Sequence, residues 1–398
     1  MTPGRLTVTM CGAEVLTMAG AFAFPALLPG FFDGWGLTPT EAGWISGIYF
    51  AAYAVAAPVL LSLTDHLDAR QVWLAGAAAT ALSCAGFALL ADGFWSALAL
   101  RTLAGAGLAA TYMPGLQVLV DRYRGAQEAR AIAFYTASFS LGVALSFLMA
   151  GEVGEAIGWR WAFAVAALAG LVAVVWVGMS VGPVTPHPAG GKTHLLDFRP
   201  VLRNREAMGY ILGYGIHTGE LFAVRSWQVA LLAFALADGG LPAGWPQPTT
   251  VAMLGSLVAM AASIGVNEVA GRFGRRPTIA AAMIGATLCA AAMAMLAQDG
   301  YAMVAGLLLL YSFFIQADSA VLTAGVVGVA EAGRRGITLA LHAFVGFGCG
   351  FLAPLGLGII LDVAGGVGEG TAWRMAFLAV TVIGLLGPLA IFLLRKKG

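Results

Sequence analysis

Charged residues are scarce: Asp, Glu, Lys and Arg make up 10% of the 398 residues, where a soluble domain carries roughly 25%. With 60% of the chain hydrophobic and a mean hydropathy of +0.86, a water-soluble fold is excluded. An excess of positive charge is also lacking. The 21 basic residues nearly cancel the 20 acidic ones, so nothing is left to grip a nucleic-acid backbone, and nucleic acid is not an expected partner. Cysteine occurs four times, at Cys11, Cys84, Cys289 and Cys349, all in apolar runs and far apart. That pattern excludes a disulfide framework and a thiolate metal site, and the four read as small buried hydrophobes. A phosphate-cradling Gly-x-x-x-x-Gly-Lys-Ser/Thr loop is missing, which excludes ATP as a direct energy source, and so is His-Glu-x-x-His. His217-Thr-Gly-Glu220 could supply two metal ligands, but no second His/Cys cluster stands at ligand spacing. Neither an enzyme nor a resident cofactor is expected.

Long apolar runs are abundant. A bilayer core about 30 Å thick needs roughly 20 apolar residues per helical crossing, and runs of that length, separated by Gly, Pro or charge, number twelve. The predicted spans are 8–31, 41–63, 71–91, 95–119, 130–151, 160–182, 207–236, 248–269, 277–297, 301–328, 336–361 and 373–394. The first is too long, and wrongly flanked, for a cleaved signal peptide. The expected class is therefore an all-α integral membrane protein.

Orientation follows from the basic residues, because cytoplasmic loops retain Lys and Arg. With the N-terminus inside, all but four of the 21 fall on the cytoplasmic side, including Arg5, Arg70, Arg122, Lys192, Arg276, Arg335 and Lys397; Arg160 and Arg374 fall outside, and Arg101 and Arg225 lie within spans. Both termini are thus expected in the cytoplasm. The connection 183–206 carries Pro183, Pro186, Pro188, a Gly pair and Lys192, and divides the chain into an N-terminal bundle (1–182), a cytoplasmic linker and a C-terminal bundle (207–398). An internal repeat supports the division. Gly-Trp-Arg-Trp-Ala-Phe (158–163) opens span 6 and Ala-Trp-Arg-Met-Ala-Phe (372–377) opens span 12, while Phe147-Leu148 matches Phe351-Leu352.

Two basic loops, before spans 3 and 9, carry a further pattern. The first retains Asp65 and Arg70 of a Gly-x-x-x-Asp-Arg-x-Gly-Arg-Arg signature, with Leu61 and Asp68 in the glycine positions; the second retains Arg272, Gly274, Arg275 and Arg276, with Asn267 for the first glycine and Gly271 for the aspartate. In placement and letters the chain resembles the major facilitator superfamily of twelve-helix secondary transporters. The resemblance implies two pseudo-symmetric six-helix bundles, with these loops as a cytoplasmic gate whose acidic residue faces a helix N-terminus. Arg101, followed by Gly105 and Gly107, matches the Arg-x-x-x-Gly-x-Gly pattern associated in the family with proton coupling; alternatively Arg101 is a terminal cation snorkelling to the surface. Span 5 reads Gly142-Val-Ala-Leu-Ser146 without the proline of the Gly-Pro-x-x-Gly-Gly motif, which counts against a drug antiporter.

Ionisable groups in hydrocarbon are costly and mark function by default. Glu14 lies in span 1, Arg101 in span 4, His217, Glu220 and Arg225 in span 7, Asp318 in span 10 and His342 in span 11. By the resemblance, spans 1, 4, 7 and 10 line the central cavity, so every clearly embedded Asp, Glu or Arg falls on a cavity helix. His217 and Glu220, three apart, share a helix face. Arg225 stands about 140° round from Glu220, too far for an in-helix ion pair, and is expected to reach outward beside Trp227 and Gln228. Gln316, Asp318, Ser319 and Thr323 form a polar stretch in span 10. A buried carboxylate can make its protonation depend on neighbouring charge; Glu220 is the first candidate for proton coupling, Asp318 the second, Glu14 the third. The competing reading for each is a structural pair holding two helices together.

Glycines such as Gly346, Gly348 and Gly350 read as helix-packing positions, and Trp35, Trp44, Trp159 and Trp373 as interfacial anchors. The expected function is a secondary active transporter of a small organic solute, worked by alternating access with protons as partner, monomeric in the bilayer of a bacterial inner membrane. An uncoupled facilitator and a metal-ion transporter using His217, Glu220, Asp318 and His342 are the alternatives. A receptor is not expected, since the chain ends four residues after its last predicted span.

Overall fold

The computed structural model describes residues 3–185, 197–237, 239–331 and 333–394. Pro186, Pro188, the Gly190-Gly191 pair and Lys192 of the predicted linker, together with Arg395, Lys396 and Lys397, lie outside these residues. Among the described residues the regular structure is entirely helical. Twelve helices among the described residues are long and apolar enough to cross a membrane: Gly4–Trp35, Pro39–Leu63, Ala69–Leu90, Phe94–Val120, Arg130–Ile157, Trp159–Ser180, Arg205–Leu236, Pro248–Phe273, Arg275–Leu296, Tyr301–Val329, Arg335–Val363 and Gly370–Leu393. These are spans 1 to 12 below, and the protein is an all-α integral membrane protein. Each overlaps its predicted counterpart to within about a turn at either end, except that span 5 runs on to Ile157. The run 152–157 holds Glu152 and Glu155, which ended the apolar stretch without ending the helix.

Local chemistry sets the boundaries. Asp68 caps span 3 by accepting from Arg70 N at 3.0 Å, and Asn204 caps span 7 by accepting from Ala207 N at 3.1 Å. Spans 5 and 6 are joined by the single residue Gly158 at φ 99°, and spans 8 and 9 by Gly274 at φ 90°. One-residue reversals of this kind need the positive φ that glycine adopts at no steric cost.

The chain groups into two compact units. One comprises Met1–Gly36 with Ile48–Lys192, the other Leu37–Gly47 with Thr193–Gly398. In the first unit spans 3 and 4 meet over glycine: Gly76 packs on Ala110 and Gly107 on Thr80 Oγ1. Gly105 lies against the backbone oxygen of Tyr49 in span 2. The core of this unit includes Trp73, Tyr135 and Val118, all buried. In the second unit Gly325 packs on Tyr210 and Gly346 on Tyr214, close helix approaches that small residues permit in a membrane. The first turns of span 2 belong here: Thr40 donates to Asp362 at 2.6 Å, and Trp44 packs against Phe351 with ring centroids 5.3 Å apart.

The Trp-Arg repeat has a physical basis. Arg160 donates to Ala88 O at 2.8 Å, at the end of span 3, and Arg374 reaches Ala294 O at 3.4 Å, at the end of span 9. Each arginine thus satisfies a carbonyl that a helix C-terminus leaves without an internal partner, with the favourable charge for that end. The anchor reading of the tryptophans is corrected for Trp373, which is fully buried and donates to Val367 O at 2.9 Å. Trp35 and Trp159 join Phe31 and Phe87 in an aromatic cluster within the first unit. Of the cysteines, Cys84 and Cys289 are buried and Cys11 and Cys349 only partly so.

Candidate functional site: polar groups buried inside the spans

Span 1 is a broken helix. It runs α-helically to Thr17, passes through a 3-10 turn at Met18–Gly20, and resumes at Ala23. Pro25 is the cause: it has no N–H for the carbonyl of Ala21 and its ring crowds that oxygen. Two side chains from other spans repair the gap. Ser146 of span 5 donates to Ala19 O at 2.7 Å and accepts from Phe22 N at 2.9 Å. Arg101 of span 4 donates to Ala21 O at 2.9 Å, with Gly20 O at 3.5 Å, and its guanidinium lies 4.2 Å from the centre of the Tyr49 ring. At 3% exposure Arg101 is buried, so the snorkelling reading is corrected. The guanidinium is held by these backbone carbonyls through Nη1.

Glu14 lies one turn before the break and is completely buried. Its Oε2 accepts from the Tyr135 hydroxyl at 2.7 Å, while the same hydroxyl stands 3.0 Å from Thr111 O. Tyr135 therefore has one proton for two acceptors.

The second unit holds the densest cluster. His217 Nδ1 lies 2.7 Å from Asp318 Oδ1, both side chains being 3% exposed or less. Asp318 sits at the joint where span 10 breaks into Tyr301–Ala317 and Ser319–Val329. Glu220, one turn from His217, accepts from the Tyr311 hydroxyl of span 10 at 2.5 Å. The shared face of His217 and Glu220 thus points each group at span 10, where each finds its own partner. Arg225 donates to Gln316 at 3.2 Å, so the expectation that it reaches outward beside Trp227 and Gln228 is corrected. Arg225, Gln228, Ser256 and Ser312 border a cavity of about 10 Å³ between spans 7, 8 and 10, room for about one water. His342 of span 11 is buried and stacks on Tyr214, ring centroids 3.7 Å apart. Among the described residues no group of three or more His, Cys, Asp or Glu is gathered to hold a metal ion, so the structure does not assemble His217, Glu220, Asp318 and His342 as a ligand set.

The gate-motif residues lie in the two loops, Asp65 and Gly274, or in the end turns of the flanking spans, Arg70, Arg272, Arg275 and Arg276. Asp65 is exposed, whereas Asp68, in a glycine position of the signature, is buried; besides capping span 3 it accepts from Val184 N at 3.0 Å. Arg70 donates to Gly178 O at 2.6 Å at the end of span 6. Beside them, Arg122 donates to Gly182 O at 2.5 Å; its burial pulls its pKa below the ordinary arginine value, an effect that Asp68 opposes. In the second loop Gly274 forms the helix joint, Arg272 and Arg275 are exposed, and Arg276 pairs with Glu206 at the start of span 7. The residues that sequence reasoning missed are Asp68, Tyr135, Ser146, Glu206 and Tyr311. For Asp68 a signal existed in Asp-Ala-Arg-Gln ahead of an apolar run, an N-cap pattern; the tyrosines carried none beyond lying in apolar runs.

Known proteins match this arrangement of spans. Residues 10–354 match the Major Facilitator Superfamily. Monocarboxylate transporter 11 of Mus musculus is 26% identical over 421 residues, covering 100% of this chain and 85% of the mouse protein. Protein spinster of Drosophila melanogaster is 22% identical over 52% of this chain, and only 35% of that longer protein is matched. Among solved structures, a bacterial homolog of the human lysosomal transporter spinster, inward-facing and occupied, has a TM-score of 0.79 at 13% identity, covering 99% of this chain and 97% of that one. The nucleoside transporter NupG has a TM-score of 0.81 at 12% identity, covering 98% and 100%; likenesses at this identity concern the fold. The chain belongs to the Major Facilitator Superfamily and is a multi-pass membrane transporter of that family.

Proposed function

We propose that the protein is a secondary active transporter that moves a small organic solute by alternating access and couples that movement to protons, with Glu220 as the principal proton-exchanging group. The observation that carries the reading is the pairing of Glu220. It is buried within span 7 and bonded to the neutral hydroxyl of Tyr311 rather than to a cation. An uncompensated charge at such a site is costly, so the group's charge is tied to gain or loss of a proton. Glu14 with Tyr135 repeats the arrangement in the other unit: a proton on the Glu14 carboxyl lets it donate to the Tyr135 oxygen and releases that hydroxyl for Thr111. His217 with Asp318 offers a third exchanging pair.

The family supports a solute rather than a reaction as the object of this chemistry. The name of the full-length mouse relative makes small organic acids the first solutes to try. The Lys and Arg distribution supports an orientation with both termini in the cytoplasm, and the membrane is proposed to be the inner membrane of a bacterial cell. The two halves of the chain, meeting at the linker 183–206, are proposed as the bundles of the transport cycle.

The test uses vesicles containing the purified protein and an internal pH dye, challenged with organic acids, amino acids, sugars and amphiphilic cations. A solute-dependent pH change that is lost in Glu220→Gln and reduced in Asp318→Asn is the expected result. Solute entry with no pH change, at full rate in both variants, would replace the reading with an uncoupled facilitator whose carboxyls are structural.

A further inference from the structure

His342 is buried at 4% exposure, and among the described residues neither of its ring nitrogens has a hydrogen-bond partner. Buried polar groups are nearly always bonded, and one left bare calls for an explanation. The ring is not free to turn elsewhere. It stacks on Tyr214 at 3.7 Å and 20°, and Gly346, one turn along span 11, lies so close to the Tyr214 ring that a side chain there would strike it. Thr218 donates to Gly346 O at 2.8 Å, which fixes spans 7 and 11 at this level. Tyr214 also stacks with His217, centroids 5.7 Å apart at 27°. Two imidazoles therefore border one tyrosine ring. His217 has its Nδ1 on Asp318, and its Nε2 is buried and unpartnered like the nitrogens of His342.

The titratable groups facing this cluster come from three spans. Span 7 supplies Tyr214, His217 and, a turn further, Glu220; span 10 supplies Asp318, and Tyr311 on Glu220; span 11 supplies His342 and Cys349, whose sulfur faces Gly215. The cluster holds no lysine or arginine. Asp318 already meets His217 and Glu220 already meets Tyr311, so among the described residues the group left without any hydrogen-bond partner is the imidazole of His342. An anion meets imidazole nitrogens that become N–H donors on protonation, and a charge-assisted bond to a carboxylate is the stronger kind.

The geometry points to a solute subsite at His342, bordered by Tyr214 and the His217–Asp318 pair, that takes the carboxylate of a small organic acid together with one proton. The proton on His342 cancels the charge that the carboxylate brings, and the buried site stays neutral. The inference rests on the transporter reading above and adds to it the group that holds the solute's carboxylate.

Binding of propionate, pyruvate and lactate to the purified protein in detergent tests it, with propionamide as the neutral control, by calorimetry and intrinsic tryptophan fluorescence. The expected result is binding at least tenfold tighter at about pH 5.5 than at about pH 7.5, with no binding of the amide. His342→Gln keeps a donor but takes up no proton. It is expected to weaken carboxylate binding at least tenfold at the lower pH, about 1.4 kcal/mol, and to abolish its pH dependence, while the thermal unfolding midpoint shows the variant folded. His342→Ala should bind no better. Failure of all three acids to bind the folded wild-type protein at low pH, or equal binding by His342→Gln, overturns the proposal. The two readings fail separately. Proton movement linked to a sugar or amine, with no carboxylate binding, leaves the coupled transporter and removes the subsite. Carboxylate binding that depends on His342 and pH, with no solute-linked pH change in vesicles, leaves the subsite and removes the coupling.

Discussion

The repair of span 1 makes a prediction in which two substitutions on different helices cancel. Pro25 leaves the Ala21 carbonyl without its i+4 donor, and Arg101 supplies one at 2.9 Å. Replacing Arg101 by the unbranched Met keeps much of the volume and removes the donor. The loss is that of a hydrogen bond to a charged group inside the protein, about 1.5–3 kcal/mol, plus a cation–π contact to Tyr49 of about 1–2 kcal/mol. Relief from burying a guanidinium offsets part of that loss, so a net destabilisation of about 1–3 kcal/mol is expected. Pro25→Ala restores an N–H to the chain three residues into the resumed helix, where it can close on Ala21 O. With that bond in place, Arg101→Met should cost at least about 1 kcal/mol less than in the Pro25 background, because the two residues serve the same oxygen. Reversible unfolding of the four proteins in mixed detergent micelles, followed by helical circular dichroism, gives the cycle directly. Additivity to within about 0.5 kcal/mol would refute the assignment of Arg101 to the carbonyl freed by Pro25.

Other expectations follow from the same contacts. Tyr311→Phe removes the donor to Glu220 and should destabilise the folded protein by about 1.5–3 kcal/mol; in vesicles it should also displace the pH profile of transport, which a packing defect would leave in place. Gly105→Val drives a side chain into the Tyr49 backbone, which cannot swing aside, and should cost about 3 kcal/mol or more, whereas Gly306→Ala, with nothing within 4 Å of the added atom, should be neutral or stabilise by up to about 1 kcal/mol; expression level and thermal midpoint check both. Asp68→Ala should cost about 1–2 kcal/mol through the lost cap, and Asp65→Ala, at an exposed position, less than about 0.5 kcal/mol.

The spans could be read from sequence because hydropathy over 20 residues is a property of the run and not of its partners. Even the Glu152 and Glu155 error is instructive: the apolar run ended there, while the helix continued to the glycine that stops it. The list of embedded charges was equally legible, since each charge in an apolar run stands out by itself. Their partners were not. Tyr135 and Tyr311 are aromatic residues in apolar helices, and only the fold decides whether a hydroxyl meets a carboxyl or a backbone oxygen. The two broken helices differ in the same way. Pro25 announces the break in span 1, but around Asp318 no Gly or Pro lies within the run 315–320 to mark the joint. Trp373 was misread because a tryptophan at a helix start has the same sequence appearance whether it faces headgroups or packs against Trp227 and Phe234.

The named partners of the buried polar groups share a further property: each lies in the same compact unit as the group it serves. Glu14 with Tyr135 and Arg101 with the span 1 carbonyls belong to the first unit, while His217 with Asp318, Glu220 with Tyr311 and Arg225 with Gln316 belong to the second. Breaking a buried charged pair costs about 3–5 kcal/mol, so a transport cycle that separated such partners would meet that cost at every turn. A cycle that keeps each unit intact does not. On the proposed proton-coupled cycle, the charge state of the named pairs rather than their separation would then govern the cycle. Spectroscopic probes bear on this directly. The Asp318→Asn change should alter the pH dependence of a fluorescence signal from Trp227, in the same unit, and leave unchanged that of a probe on Cys11, in the other; a response of equal size at both would mean that the units do not titrate independently.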